Sequence, residues 1–201
     1  VYKAMGNYTL YGAFVAIFHS VSAFCNAGFS TLETGLFHPD FRNNYLLLNS
    51  LSWLIIFGGI GFPILFNIWQ WIKVRCLLAY DTIFRRNRRI FDHNARTLTS
   101  NTVIAIIMTI ILVVGGTIIF FMTEYNNVLR DDTSLWGKLS TSFFLATVPR
   151  TAGFASFNMG SLTSISVVIM IIYMWIGGSP MSTAGGIKTT TFAIALLNVI
   201  N

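Results

Sequence analysis

Two short stretches of this chain combine residue types suited to one kind of chemistry. Phe24-Cys25-Asn26-Ala27-Gly28-Phe29 is echoed by Arg150-Thr151-Ala152-Gly153-Phe154; the shared Ala-Gly-Phe lies 125 positions further on, and Phe18 and Phe143 match at the same offset. Each copy follows an apolar stretch, 12–24 and 139–148, too short at about 1.5 Å per residue to cross a hydrocarbon core of roughly 30 Å. A hairpin that dips part-way into a bilayer carries bare amides and carbonyls to membrane depth, which is tolerable only where protein buries them or they line a wet cavity. Glycine at such a turn permits φ values closed to other residues, so successive carbonyls can point the same way. A ring of those oxygens replaces the hydration shell of a cation such as K⁺. The short helix before each turn aims its C-terminal partial negative charge at the same place.

A third stretch, Gly177-Gly178-Ser179-Pro180-Met181-Ser182-Thr183-Ala184-Gly185-Gly186, interrupts an apolar segment that begins at 165–176 and resumes at Thr189. Its glycines and hydroxyls suit an irregular backbone beside a wet pore, as in discontinuous transporter helices. It is not a phosphate-binding loop, because Ile187 separates Gly186 from Lys188 and no strand precedes it. Lys188 is the sole formal charge after Phe154. Two roles fit it equally, repulsion of ions at a gate and snorkelling to the cytoplasmic face. Arg150 is expected to brace its own loop through carbonyl hydrogen bonds, since a cation in the path would repel K⁺. His19 is expected to be packed and hydrogen-bonded, with Ser20 offering at most a proton relay.

Positioning these stretches requires helices in lipid. Hydrophobic residues make up 54% of the chain and charged residues 10%, which excludes a soluble globular class and predicts an all-α integral membrane fold. Residues 102–122 carry no charge, with Ser100-Asn101 as the predicted cap. Residues 46–72 are also uncharged and hold Phe57-Gly58-Gly59-Ile60-Gly61-Phe62-Pro63, where proline should kink the span and the glycines should permit close helix packing. Residues 31–45 read as an aqueous connection. Lys73, Arg75, Arg85, Arg86, Arg88, Arg89 and Arg96 face only Asp81 and Asp92, whereas Glu124, Asp131 and Asp132 follow the next span. The positive-inside rule then puts 73–97 in the cytoplasm and 124–137 outside. Between hydrophobic spans the basic run is expected to touch anionic headgroups of the lipid bilayer rather than nucleic acid. Cys25 and Cys76 fall on opposite sides, so they cannot pair, and each is read as a small apolar filler. The start lacks the basic, apolar, small-residue order of a cleavable signal.

At these three stretches the chain resembles the Trk/Ktr/HKT superfamily of potassium transporters, specifically the KtrB/TrkH-type membrane subunits. The resemblance implies repeated helix–pore loop–helix units, four in a complete chain, each giving one selectivity-filter strand. Residues 1–72 look like the pore helix, filter loop and second helix of unit two. Residues 73–97 form a cytoplasmic basic linker, and 98–201 look like unit three, with a filter loop at 149–154 and an intramembrane gate loop at 177–186. On that likeness this sequence is about half of a full chain. Residue by residue, Cys25, Asn26, Ala27 and Gly28 match one filter strand, and Arg150, Thr151, Ala152 and Gly153 another. Gly177, Gly178, Ser179, Pro180, Thr183, Gly185, Gly186 and Lys188 match the gate loop, with Ala184 where the family has the first of three glycines. The implied function is K⁺ uptake across the cell membrane, passive or Na⁺-stimulated, by a homodimer with a cytosolic nucleotide-binding regulatory ring. Competing classes are a secondary transporter of a small organic solute and an intramembrane hydrolase using Ser179 or Ser20 with His19; the latter has no carboxylate within a span to orient its base.

Overall fold

Four helix starts are set by side chains that take up orphan amides. Asn44 accepts from the Leu47 N–H (3.1 Å), Thr99 from Thr102, Ser134 from Gly137 and Thr163 from Ser166, each replacing a hydrogen bond that the first helical turn cannot make internally. The computed structural model describes residues 10–32, 35–37, 39–83, 98–132, 134–156 and 158–200. Within them run α1 (Leu10–Phe24), α2 (Pro39–Arg42), α3 (Tyr45–Ile60), α4 (Phe62–Ile83), α5 (Ser100–Glu124), α6 (Leu135–Thr147), α7 (Ser164–Trp175) and α8 (Thr189–Ile200). No strand occurs among the described residues; a single parallel bridge joins Ile176 to Ile187. Arg85, Arg86, Arg88, Arg89 and Arg96 of the basic linker lie outside the described residues, as do Glu33 and His38.

The two short helices, α1 and α6, both pack on α3, and α6 packs most extensively on α5, which also carries α8. Their common core holds Ala23, Leu47, Leu48, Leu51, Ile55, Phe144, Val148, Ala152 and Phe154. Residues of the second hairpin are therefore part of the core that fixes it. In an apolar surrounding, packing and interhelical hydrogen bonds replace the hydrophobic drive. Asn49 Nδ2 donates to Ser140 Oγ (3.0 Å), the Tyr173 hydroxyl to the Leu112 carbonyl (3.0 Å), and Thr123 meets Ser166 at 2.7 Å. At the other end of α5, buried Glu124 accepts from the Thr163 amide (2.9 Å) and hydroxyl (2.7 Å) and from Asn127 (2.7 Å), which ties the end of α5 to the start of α7.

Among the described residues one unbroken helix, Ser100–Glu124, is long and apolar enough to cross a membrane; its 25 residues span about 37 Å at the standard rise. The kink expected in the span over 46–72 is a sharp one: α3 and α4 meet at 94° and together, as a bent pair, are long and apolar enough to cross. The break falls at Gly61, whose φ of 85° is open to glycine alone at little cost. Pro63 sits in the first turn of α4, where its missing N–H leaves no bond unmade, so it does not kink the helix as expected. The cap of α5 is Thr99, one residue before the predicted Ser100-Asn101, because its side chain reaches the Thr102 amide from an extended backbone. Cys25 and Cys76 are free and exposed.

Candidate functional site: two hairpins and a glycine-rich loop

The two hairpins repeat each other in backbone conformation as well as sequence. After α1 the Cys25, Asn26 and Ala27 amides donate to the Val21, Ala23 and Ser22 carbonyls at 2.9, 3.1 and 2.9 Å, which closes the helix end with the familiar left-handed cap. After α6 the Ala152 and Gly153 amides both donate to the Val148 carbonyl, at 3.0 and 3.2 Å. Left-handed residues stand at the same two places: Asn26 (φ 52°) and Gly28 (φ 70°) in the first hairpin, Thr151 (φ 75°) and Gly153 (φ 76°) in the second. A strand that changes hand twice in three residues does not pleat, so its carbonyls are freed from strict alternation.

The hairpins abut backbone to backbone. A Cβ added at Gly28 would overlap the Ala152 carbonyl oxygen and come 3.1 Å from the Gly153 carbonyl carbon. One added at Gly153 would meet nothing within 4 Å. The structure thus brings Gly28 of the first predicted stretch against Ala152 and Gly153 of the second, with open space at the Cβ position of Gly153. His19 helps hold the pair. It is buried, and its ring stacks near Phe154 of the other hairpin, centroids 6.4 Å apart. Nδ1 lies 2.8 Å from the Val15 carbonyl; a carbonyl only accepts, so Nδ1 carries the proton and Nε2 accepts from Ser30 Oγ at 2.9 Å.

Next to the hairpins the segment between α7 and α8 forms a tethered loop. Its neck is closed by the Gly177 amide on the Ile187 carbonyl (3.0 Å) and the Ile187 amide on the Trp175 carbonyl (2.9 Å). At this neck Gly177 lies so close to Gly185 that a Cβ would overlap the Gly185 carbonyl oxygen. The loop then docks on the end of α3. The Ser179 amide donates to the Gly59 carbonyl (2.9 Å) and the Thr183 amide to that of Gly58 (3.3 Å). Gly58 itself has no room for a Cβ, which would overlap the Phe24 carbonyl oxygen and reach 2.9 Å from Thr183 Oγ1. Close packing is what the sequence suggested for this glycine cluster, and Gly58 shows it; its partners, the end of α1 and the loop, carried no sequence signal.

Arg150 is buried and does not brace its own hairpin as expected. Its Nη2 reaches the Gly177 carbonyl across 3.4 Å, so it steadies the base of the loop instead. Lys188 turns its ammonium back onto the Ala184 carbonyl at 2.8 Å. Ser179 is buried, Pro180 lies in the turn, and Met181 at the tip has φ 59° and is 81% exposed. Gly185 lies near the second hairpin, a Cβ there coming 3.9 Å from Thr151 Cγ2. Among the described residues no cluster of three or more His, Cys, Asp or Glu could hold a metal ion. What the site offers a cation is oxygen: backbone carbonyls of the two hairpins, with Asn26 Oδ1 and Thr151 Oγ1 buried and without hydrogen-bond partners among the described residues. Sequence reasoning missed Thr183 as a contact of Asn26, whose Nδ2 donates to its hydroxyl at 2.8 Å. The serine–histidine arrangement does not form, since Ser20 donates to the Ala16 carbonyl and His19 is held by Ser30.

The family described as TrkH, cation transport protein, matches residues 2–201. The chain is 35% identical over 188 residues to the potassium/sodium uptake protein NtpJ of Enterococcus hirae, covering 94% of this chain and 37% of that protein. It is 33% identical over 190 residues to the Ktr system potassium uptake protein B of Bacillus subtilis, covering 94% and 38%. Among solved structures, the potassium transporter TrkH from Vibrio parahaemolyticus shares the fold with a TM-score of 0.64 at 18% identity, covering 93% of this chain and 35% of that one. The chain spans little more than a third of the length of these relatives, less than the half expected from sequence.

Proposed function

Because the chain belongs to the TrkH family of cation transport proteins, which are membrane transporters and not enzymes, we propose that it supplies two neighbouring strands of a backbone-lined K⁺ filter and the gate loop beneath them. Residues 25–28 and 150–153 are the strands, and 177–186 with Lys188 is the gate. Further strands come from other parts of the complete protein.

The observation that carries this reading is the contact of Gly28 with the Ala152 carbonyl, made between two turns with left-handed residues at matching positions. Two such turns side by side put main-chain oxygens next to each other without a side chain between them. Gly153 presents the same bare face outward, which suits a further strand continuing the ring. The helices α1 and α6 end at these turns, so their partial negative charge adds to the field that holds a dehydrated cation. The potassium uptake named for the relatives from Enterococcus hirae and Bacillus subtilis supports K⁺ as the cargo; entry that is passive or Na⁺-stimulated belongs to the same proposal. A homodimeric membrane subunit, a cytosolic nucleotide-binding ring, and a topology with 73–97 cytoplasmic and 124–137 extracellular belong to the same proposal.

The test is growth rescue of a bacterium lacking K⁺ uptake by the complete gene, with Rb⁺ uptake measured in the same cells. Rescue at low external K⁺ with saturable Rb⁺ entry is the expected result. Rb⁺ entry no faster than in the empty host rejects the reading.

A further inference from the structure

Thr183 joins the loop to three places through its hydroxyl and its amide. Its Oγ1 lies 2.9 Å from the Phe24 carbonyl and 2.8 Å from Asn26 Nδ2. The hydroxyl has one proton, and the carbonyl can only accept, so that proton goes to Phe24. Asn26 must then present its NH₂ to Thr183, which fixes the orientation of the amide. The Thr183 amide meanwhile donates to Gly58, so one residue of the loop touches the end of α1, the first hairpin and the end of α3. The second hairpin holds the loop only at its neck, through the long Arg150 contact to Gly177. The loop is therefore fastened at three places: the Ile176–Ile187 neck, the Ser179 amide on the Gly59 carbonyl, and Thr183, the one whose side chain reaches the first hairpin.

We propose that Thr183 is a latch between the loop and the first strand, so that release of the loop and reorientation of the Asn26 side chain are one event. This inference rests on the reading of 177–186 as a gate below the hairpins. The geometry forces the coupling. The loop cannot swing about its neck without parting Thr183 from Phe24, Asn26 and Gly58 together. Asn26 occupies a left-handed backbone position that the amide–hydroxyl bond helps to hold. Thr183 acts as a positioning residue; it holds the loop and Asn26 and is not itself assigned to the ion.

The test uses the full-length protein in liposomes, with Thr183→Val, Thr183→Ala and Thr183→Ser. Valine keeps the shape and removes both side-chain hydrogen bonds, alanine does so without branching, and serine keeps the hydroxyl. Loss of two modest hydrogen bonds predicts a basal Rb⁺ flux raised about tenfold in the valine variant, with serine tracking the wild type. Amide hydrogen exchange of the 177–188 peptide should quicken in the valine and alanine variants and not in serine. Wild-type exchange in both the valine and alanine variants, or serine behaving like valine, overturns the latch. Absence of Rb⁺ flux from the wild-type protein defeats the pore reading instead, and the exchange comparison then still decides the latch.

Discussion

Adding one methyl group at Gly28 tests the hairpin contact more sharply than any charge change. Gly28→Ala carries two penalties. A left-handed non-glycine residue costs about 1–2 kcal/mol. The new Cβ also overlaps the Ala152 carbonyl oxygen and crowds the Gly153 carbonyl carbon at 3.1 Å, and overpacking of this kind typically adds about 1–3 kcal/mol. Ala152 is in the core, only 1% exposed, so it cannot step aside freely, and the carbonyl that must rotate is one assigned to the ion. A shift of about 1.4 kcal/mol in relative ion binding is a tenfold change, so K⁺ preference over Na⁺ should fall by roughly tenfold or more. The assay is competitive flux of Rb⁺ and Na⁺ in liposomes holding the complete protein. Gly153→Ala supplies the comparison: its φ strain matches, while its neighbours within this chain are absent to 4 Å. If a further strand continues the ring, Gly153→Ala should be as damaging as Gly28→Ala in the complete protein; a milder effect means that the ring does not pass that way. Unaltered ion preference in Gly28→Ala refutes the reasoning.

Gly58→Ala should lower the thermal unfolding midpoint in detergent, because its Cβ overlaps the Phe24 carbonyl, whereas Gly59→Ala, with only Asn26 Nδ2 at 3.9 Å, should unfold like the wild type. Arg150→Gln should raise basal Rb⁺ leak by freeing the Gly177 carbonyl; a leak equal to wild type argues that the neck holds without it. Shortening residues 178–186 by deletion should raise the closed-state flux more than either substitution, read as Rb⁺ leak without activation, and a sealed deletion variant would speak against a gate.

The repeat was legible because it is written twice. Two Ala-Gly-Phe turns at a fixed offset, each after a short apolar run, identify α1 and α6 and the residues that follow them, and the glycine density at 177–186 marks where helix gives way to loop. The break in 46–72 was misplaced because Pro63 is the louder signal. Proline fits a first helical turn without loss, and only the φ of 85° at Gly61 shows where the chain turns. Arg150 was assigned to its own hairpin because sequence displays a donor but not the direction in which it reaches. The pairing of Asn26 with Thr183, 157 residues apart, has no local signature at all. Neither does the choice of Gly58 and Gly59 carbonyls as the dock for the loop, since a helix end exposes its last carbonyls whatever the sequence.

The most direct measurement is anomalous scattering from Rb⁺ in crystals of the complete protein. The account predicts a peak within coordination distance of carbonyl oxygens from both 25–28 and 150–153, beside the Gly28–Ala152 contact. A bound ion elsewhere in the protein, with these carbonyls empty of density at saturating Rb⁺, would contradict it.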